Sequence, residues 1–160
     1  MRAVFFDRDG VINVGAVEGD YVKSWDEFEF MSGIFPLMKV LSERGFKLFV
    51  ITNQRGVDLK VMTEADLEDI HNRMMISLKD EGIKIEKVYA CVHGKDQCEC
   101  RKPKPGMILK AAAEFGIDLA ASYMVGDRES DMKAAEAAGV GKGIFFSLEQ
   151  KLEDLADSIF

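Results

Sequence analysis

The chain has 160 residues, of which 48% are apolar, and a mean hydropathy of −0.05, values typical of one globular domain. Its 28 acidic residues outnumber its 21 basic ones, and the resulting net charge of −7 disfavours binding to nucleic acid or to an anionic membrane surface. No apolar run reaches the roughly 18–20 residues of a membrane helix, and the start MRAVFFDRDG lacks the apolar stretch of a signal peptide.

Short apolar runs alternate with helical patterns, and no repeat or linker divides the chain. In chain order, the predicted strands are Ala3–Phe6, Lys47–Thr52, Lys87–Cys91, Tyr123–Val125 and Gly143–Phe146. Because these runs are largely apolar rather than alternating, they predict a parallel sheet that is covered on both faces. We therefore expect a doubly wound, Rossmann-like α/β fold with about five strands, in one domain spanning residues 1–160.

Helix signals lie between the strands. The predicted helices start near Pro36, at Thr63 with Asp66 as capping partner, at Pro105, at Ser130, and at Ser147 with Gln150 as capping partner. The second of them carries one histidine, His71, which we expect to be a surface or boundary residue. Ligands of doubly wound sheets bind outside the carboxyl ends of the strands, so the chemistry is expected there.

Acidic and hydroxyl side chains occur where three predicted strands end. The segments are DRDG at residues 7–10, TNQ at residues 52–54 and GDR at residues 126–128. Parallel strands end at the same edge of a sheet, which brings four side chains together: Asp7, Asp9, Thr52 and Asp127. Carboxylates crowded in one cleft repel each other unless a cation lies among them, and oxygen ligands suit Mg²⁺. The alternative is that DRDG is only a turn, since Asp and Gly favour turns.

A compact set of soft ligands lies near the third strand. All three cysteines and one of the two histidines fall within ten residues, at Cys91, His93, Cys98 and Cys100. Three thiolates and one imidazole are the ligands of a closed, tetrahedral structural zinc site. A redox pair at Cys98 and Cys100, or unrelated thiols, are the alternatives. An odd number of clustered cysteines favours a reducing compartment, so we expect a cytoplasmic protein.

Four segments together resemble the motifs of the haloacid dehalogenase superfamily phosphatases. They are DRDGV, ITN, RKPKPGM and GDRESD, in that order between Asp7 and Asp131. The resemblance implies that Asp7 is the nucleophile and forms an aspartyl phosphate, while Asp9 is the general acid and base. It implies Mg²⁺ on the carboxylates of Asp7 and Asp127 and on the main-chain oxygen of Asp9. Thr52 and Lys102 are implied to hold the phosphoryl oxygens.

The cysteine and histidine spacing narrows the resemblance to the zinc-containing branch of that superfamily. This branch includes the D-glycero-D-manno-heptose 1,7-bisphosphate phosphatases and the histidinol-phosphate phosphatases. It implies substrate contacts at Asn53, Arg101 and Arg128, with Asp131 orienting Lys102 or a metal-bound water. The segment at residues 56–60, GVDLK, departs from the Gly-x-x-Arg-Gly pattern of the heptose enzymes.

We expect a Mg²⁺-dependent phosphomonoester hydrolase that takes a small phosphorylated metabolite. The substrate that we expect is D-glycero-D-manno-heptose 1,7-bisphosphate, from which the 7-phosphate is removed. Histidinol phosphate is the alternative substrate. A phosphatase of nucleic-acid ends and a zinc-ordered interaction module are further alternatives. The intervals between the motifs are too short for a cap domain, so loops must set specificity, above all the long loop from Val11 to Met31. We expect a monomer without membrane attachment.

Overall fold

A computed structural model describes residues 1–159. Five strands, β1 to β5 in chain order, form one sheet in the order β3-β2-β1-β4-β5, and every pairing is parallel. They are Ala3–Phe6, Lys47–Asn53, Ile85–Cys91, Tyr123–Gly126 and Lys142–Phe145. The doubly wound α/β fold predicted from the apolar runs is therefore confirmed.

Helices cover both faces of the sheet. Helices α1 to α4 are Ile34–Glu43, Glu64–Asp80, Gly106–Phe115 and Glu129–Ala138, and a 3₁₀ helix, Leu152–Ser158, follows the last strand. Alternate residues of β1 enter different cores: Val4 and Phe6 pack with α1, α2 and the 3₁₀ helix, whereas Ala3 and Phe5 pack with α3 and α4. Both sides of the inner strands are buried, which is why the strands read as apolar throughout.

Local signals fix most helix ends. Thr63 and Asp66 form a reciprocal capping box at the start of α2, in which the Asp66 N–H donates to Thr63 Oγ1 at 3.0 Å. Gly116 ends α3 with a φ of 65°. The prediction of a helix starting at Ser147 is wrong, since the hydrogen bond from the Ser147 N–H to Gln150 Oε1 (3.0 Å) closes only a turn and the 3₁₀ helix follows it.

The long loop after β1 packs against both α1 and α2. It contains a short 3₁₀ helix, Trp25–Glu27, and an aromatic cluster in which the rings of Trp25 and Phe28 stack at 4.9 Å between centroids. In the described chain, one α-helix lies between Asp9 and Thr52 and one between Thr52 and Lys102, which agrees with the predicted absence of a cap domain. No helix within residues 1–159 has the length and apolar character needed to cross a bilayer.

Candidate active site and metal centre

The ends of β1 and β4 and the first turn of α4 bring three carboxylates together around one lysine. Oxygens of Asp7, Asp127 and Asp131 lie within 4.8 Å of one another. Lys102 Nζ lies 2.7 Å from Asp7 Oδ1 and 2.5 Å from Asp131 Oδ1, and it also donates to the Ile51 carbonyl at 3.0 Å. All three ammonium hydrogens of Lys102 therefore have acceptors on the floor of the cleft.

The charges of this cluster do not balance within the chain. Burial, partly offset by Lys102, raises the pKa of Asp7 to about 8, and burial also raises the pKa of Asp127. Burial would lower the pKa of Lys102, but attraction to Asp7 and Asp131 outweighs it and raises that pKa instead. Three carboxylates thus share one ammonium, and Asp127 Oδ1 is buried without a hydrogen-bond partner among the described residues. A divalent cation fits this donor set.

Two glycines allow the backbone to approach these carboxylates closely. Gly10 has a φ of 88°, and a Cβ built there would lie 2.0 Å from Asp127 Oδ2. A Cβ at Gly126 would lie 2.3 Å from the Cβ of Asp131. Only glycine fits at either position while the two aspartates keep their places.

Asp9 is held on both carboxylate oxygens. Its Oδ1 accepts from Arg8 Nη2 and from Asn13 Nδ2, each at 2.9 Å, and its Oδ2 accepts from Gln54 Nε2 at 2.8 Å. Burial raises the pKa of Asp9, but the Arg8 charge and these hydrogen bonds outweigh burial and lower it. Gln54 Nε2 also donates to Thr52 Oγ1 at 2.9 Å, so one side-chain amide links Asp9, which follows β1, to Thr52 at the end of β2.

The other predicted substrate contacts lie at the rim. Asn53 pairs with the main chain of Lys102 in both directions, at 3.1 and 3.0 Å, and so fixes the lysine loop to β2. Arg101 is half-buried, and its Nη1 has no hydrogen-bond partner among the described residues. Arg128 is exposed, and its main-chain N–H donates to Asp131 Oδ2 at 3.1 Å. The substrate roles of these three residues stay predictions.

The predicted soft ligands form a second cluster beside the lysine loop. One ligand atom each of Cys91, His93, Cys98 and Cys100 lies within 4.8 Å of the others. His93 Nδ1 is 3.3 Å from Cys100 Sγ, and all three cysteines are free of disulfides. Bonds from zinc to thiolate and imidazole ligands are about 2.0–2.3 Å long, and four ligand atoms this close together can reach one zinc ion. The Gln54 N–H donates to the Cys91 carbonyl at 2.7 Å, which joins this cluster to the active-site cleft.

Three functional candidates were missed by the sequence reading. Arg8 is the largest side chain with no exposure, Gln54 is buried, and His71 is only 8% exposed rather than at the surface. The position of His71 had a signal in the sequence, because it lies four residues after Leu67 and three before Met74 and so shares the apolar face of α2. Arg8 had none, since an arginine in a turn is usually solvated.

Comparisons with known proteins agree with this geometry. Residues 13–139 match the family described as haloacid dehalogenase-like hydrolase. The chain is 43% identical over 147 residues to the D-glycero-beta-D-manno-heptose-1,7-bisphosphate 7-phosphatase of Yersinia pestis, covering 87% of this chain and 77% of that protein. It is 41% identical over 153 residues to the D-glycero-alpha-D-manno-heptose-1,7-bisphosphate 7-phosphatase of Campylobacter jejuni, covering 96% and 87%.

A solved structure shares the whole architecture. The D,D-heptose 1,7-bisphosphate phosphatase from B. bronchiseptica, crystallised with magnesium and phosphate, superposes with a TM-score of 0.87 at 28% identity. The match covers 99% of this chain and 98% of that one. A chain with the same fold and nearly the same extent therefore holds magnesium and phosphate.

Proposed function

The chain belongs to the haloacid dehalogenase-like hydrolases and is a phosphatase, and on this premise we propose that it removes the 7-phosphate of D-glycero-D-manno-heptose 1,7-bisphosphate. The observation that carries the proposal is the carboxylate cluster of Asp7, Asp127 and Asp131 with Lys102 at its centre. This cluster supplies a nucleophile, a cation site and a fixed ammonium group at the carboxyl ends of the strands. The relatives bearing the heptose name supply the substrate class.

We assign a residue of the chain to each chemical step. We assign Mg²⁺ to the carboxylates of Asp7 and Asp127 and the main-chain oxygen of Asp9, where it neutralises charge on the phosphoryl oxygens. An Asp7 carboxylate oxygen forms a bond to phosphorus while the bond to the sugar oxygen breaks, and that oxygen takes a proton from Asp9. Because the surroundings of Asp9 lower its pKa, this carboxyl must take up its proton before the step. Asp9 then takes a proton from a water that attacks phosphorus, releasing Asp7 and inorganic phosphate. Thr52 and Lys102 are assigned to the phosphoryl oxygens, and Lys102 would exchange one of its three protein acceptors for that contact.

Zinc has a structural role in this proposal. Cys91, His93, Cys98 and Cys100 would hold the ion with four protein ligands, which would leave no position for water or substrate. The loop that carries these ligands leads directly into Arg101 and Lys102, so a bound ion would fix the backbone that carries these two side chains. Thiolate ligands require a reducing compartment, and we propose a cytoplasmic location. We also propose that the chain acts as a monomer.

The second phosphate of the substrate needs cations of its own. Each phosphate carries roughly −1.5 to −2 charges at neutral pH, and the groups on the cleft floor serve only the one being transferred. Arg101 has a buried Nη1 without a hydrogen-bond partner among residues 1–159, and Arg128 lies exposed at the start of α4. Both are assigned to the distal phosphate. Relatives named for the alpha and for the beta sugar both match, so both anomers belong in the assay.

A panel of kcat/KM values tests the substrate. It compares both anomers of heptose 1,7-bisphosphate with fructose 1,6-bisphosphate, histidinol phosphate and a 5′-phosphorylated oligonucleotide. We expect the heptose bisphosphate to be best by at least about tenfold, the value of one charge-assisted hydrogen bond. A tenfold preference for histidinol phosphate would replace the heptose assignment, and a preference for the oligonucleotide would move the substrate to nucleic-acid ends.

A substitution isolates the distal-phosphate contact. Arg101→Ala should lower kcat/KM for the bisphosphate about tenfold or more, because a guanidinium contact to phosphate is lost. Its effect on p-nitrophenyl phosphate, which has no second phosphate, should be within about twofold. Arg73→Ala is the matched control, since Arg73 is an exposed arginine whose ion pair in the described part of the chain is with Asp69 on α2. Equal losses with both substrates would assign Arg101 to the transferred phosphate or to the loop.

A further inference from the structure

Arg8 connects the general acid–base residue to helix α2. Its side chain is fully buried, and three of its N–H groups donate to Asn13 Oδ1 (3.2 Å), His71 Nε2 (3.0 Å) and Asp9 Oδ1 (2.9 Å). His71 comes from another element, 63 residues away in sequence. A rigid guanidinium therefore spans from the imidazole on α2 to the carboxylate at the end of β1.

This contact defines the tautomer of His71. A guanidinium has only donors, so His71 Nε2 must accept and the imidazole must be neutral, with its proton on Nδ1. Burial, and next the charge of Arg8, lower the pKa of His71 to about 3, so the ring stays neutral in the range where enzymes usually work. An imidazolium in its place would turn a donor toward the Arg8 cation and break the link.

The orientation of Asp9 depends on this link. Asp9 Oδ1 already accepts from Arg8 and Asn13, whereas Oδ2 accepts from Gln54 alone among the described residues. Oδ2 is therefore the oxygen with room to carry the proton that is transferred. If Arg8 turned, Oδ1 would lose its charged partner, and the carboxylate could rotate away from the leaving group.

We propose that His71 is a positioning residue, a neutral acceptor that fixes Arg8 and, through it, the general acid–base carboxylate of Asp9. The proposal rests on the role given above to Asp9. A histidine that only fills the core would need shape alone at this position. A positioning histidine needs its acceptor atom, and substitutions can separate the space-filling role from the positioning role.

Two variants of His71 separate shape from hydrogen bonding. His71→Leu fills the space and removes the acceptor, whereas His71→Gln places an amide oxygen where it can accept from Arg8. Ile70→Val, on the same helix, trims a buried side chain and leaves the Arg8–His71 hydrogen bond untouched. Asp9→Asn measures the full value of the acid. Thermal unfolding of all four variants shows which of them remain folded at the assay temperature.

The dependence of kcat/KM on the leaving group provides a readout that a loss of fold stability does not change. Phenyl phosphate releases a phenol with a pKa of about 10, as for tyrosine, and needs protonation by the enzyme. p-Nitrophenyl phosphate has a similar size and releases a much more acidic phenol, which needs far less help. Because kcat/KM reports the steps through departure of the leaving group, the ratio of the two values measures the general acid.

The expected pattern is specific. His71→Leu should lower kcat/KM for phenyl phosphate about tenfold and for p-nitrophenyl phosphate about twofold or less. The tenfold loss is smaller than the roughly 10²-fold or more that a general acid contributes, because Asp9 itself is still present. His71→Gln should stay within about threefold of wild type for both, and Ile70→Val should not change the ratio. Equal losses of His71→Leu on both substrates, or no rescue by His71→Gln, would overturn the proposal.

Failure of the underlying assignment looks different. If Asp9→Asn leaves the phenyl phosphate rate unchanged, Asp9 is not the acid and the proposed mechanism is wrong. If Asp9→Asn is inactive and His71→Leu matches wild type, only the role of His71 is wrong. A long-range ¹H–¹⁵N spectrum gives a second reading: we expect His71 to be protonated on Nδ1 alone, and a proton on Nε2 would contradict the proposal.

Discussion

Replacing Gly10 with alanine should remove activity far more than stability. The new Cβ would lie 2.0 Å from Asp127 Oδ2, whereas ordinary contacts begin at 3.4 Å, so the carboxylate must move by about 1.4 Å. A displacement of about 1 Å at a reacting centre costs roughly 10²-fold. We expect kcat/KM for p-nitrophenyl phosphate with Mg²⁺ to fall by at least that factor. The positive φ of 88° adds a stability loss of about 1–2 kcal/mol.

Gly82→Ala is the matched control for backbone strain. Gly82 has a φ of 79°, but a Cβ there would meet nothing within 4 Å. Urea unfolding should show similar stability losses for the two variants, of about 1–2 kcal/mol, while only Gly10→Ala loses turnover. If Gly10→Ala keeps kcat/KM within about threefold of wild type, the placement of Asp127 beside the Gly10 turn is not what the reaction depends on.

Two further predictions concern zinc and pH. Mild EDTA followed by Mg²⁺ should restore activity, while zinc held by the three thiolates stays bound; elemental analysis that finds no zinc in protein grown with adequate supply would rule out the site. The folded-state pKa of His71 is about 3, against 6.5 when unfolded, so this residue's stabilising effect is fully present above pH 6.5 and is lost as the pH falls toward 3. Between pH 6.5 and 5, urea unfolding should show wild type losing about 2 kcal/mol more than His71→Gln, and parallel losses would contradict a buried neutral imidazole.

Burial on both faces made the strands readable from the sequence. β1 was predicted at its observed bounds because all four of its residues are buried. The edge strand β3 was predicted two residues short, since the charged residues Glu86 and Lys87 interrupt its apolar pattern after Ile85. Fully apolar runs predict inner strands well, whereas an edge strand has to be recognised from the alternation of apolar and polar residues.

The positions of the candidate site residues followed from topology. Asp7 and Asp127 come together because β1 and β4 are neighbours and both end at the same edge. The four soft ligands could be grouped because they are close in sequence and of one chemical type. The sequence could not show the link from Asp9 through Arg8 to His71, which joins side chains 63 residues apart and depends on how α2 packs over the β1 turn.

The polar links between the two clusters were equally hidden. Gln54 donates its main-chain N–H to Cys91 and its amide to Asp9 and Thr52, so one residue contacts both the zinc loop and the cleft. Its position two residues after Thr52 gave no reason to choose it over Asn53. Side-chain hydrogen bonds across strand ends depend on register, and register is fixed only when the sheet is assembled.

Trapping the phosphorylated enzyme tests the nucleophile most directly. Wild type is mixed with p-nitrophenyl phosphate and Mg²⁺, quenched in acid within the first turnover and reduced with borohydride, which converts an acyl phosphate into homoserine. Mass spectrometry of the N-terminal peptide should find homoserine at position 7 in wild type and unmodified asparagine in Asp7→Asn, which should also lack turnover. Phosphate trapped on another residue, or turnover by Asp7→Asn close to wild type, would contradict the assignment of Asp7.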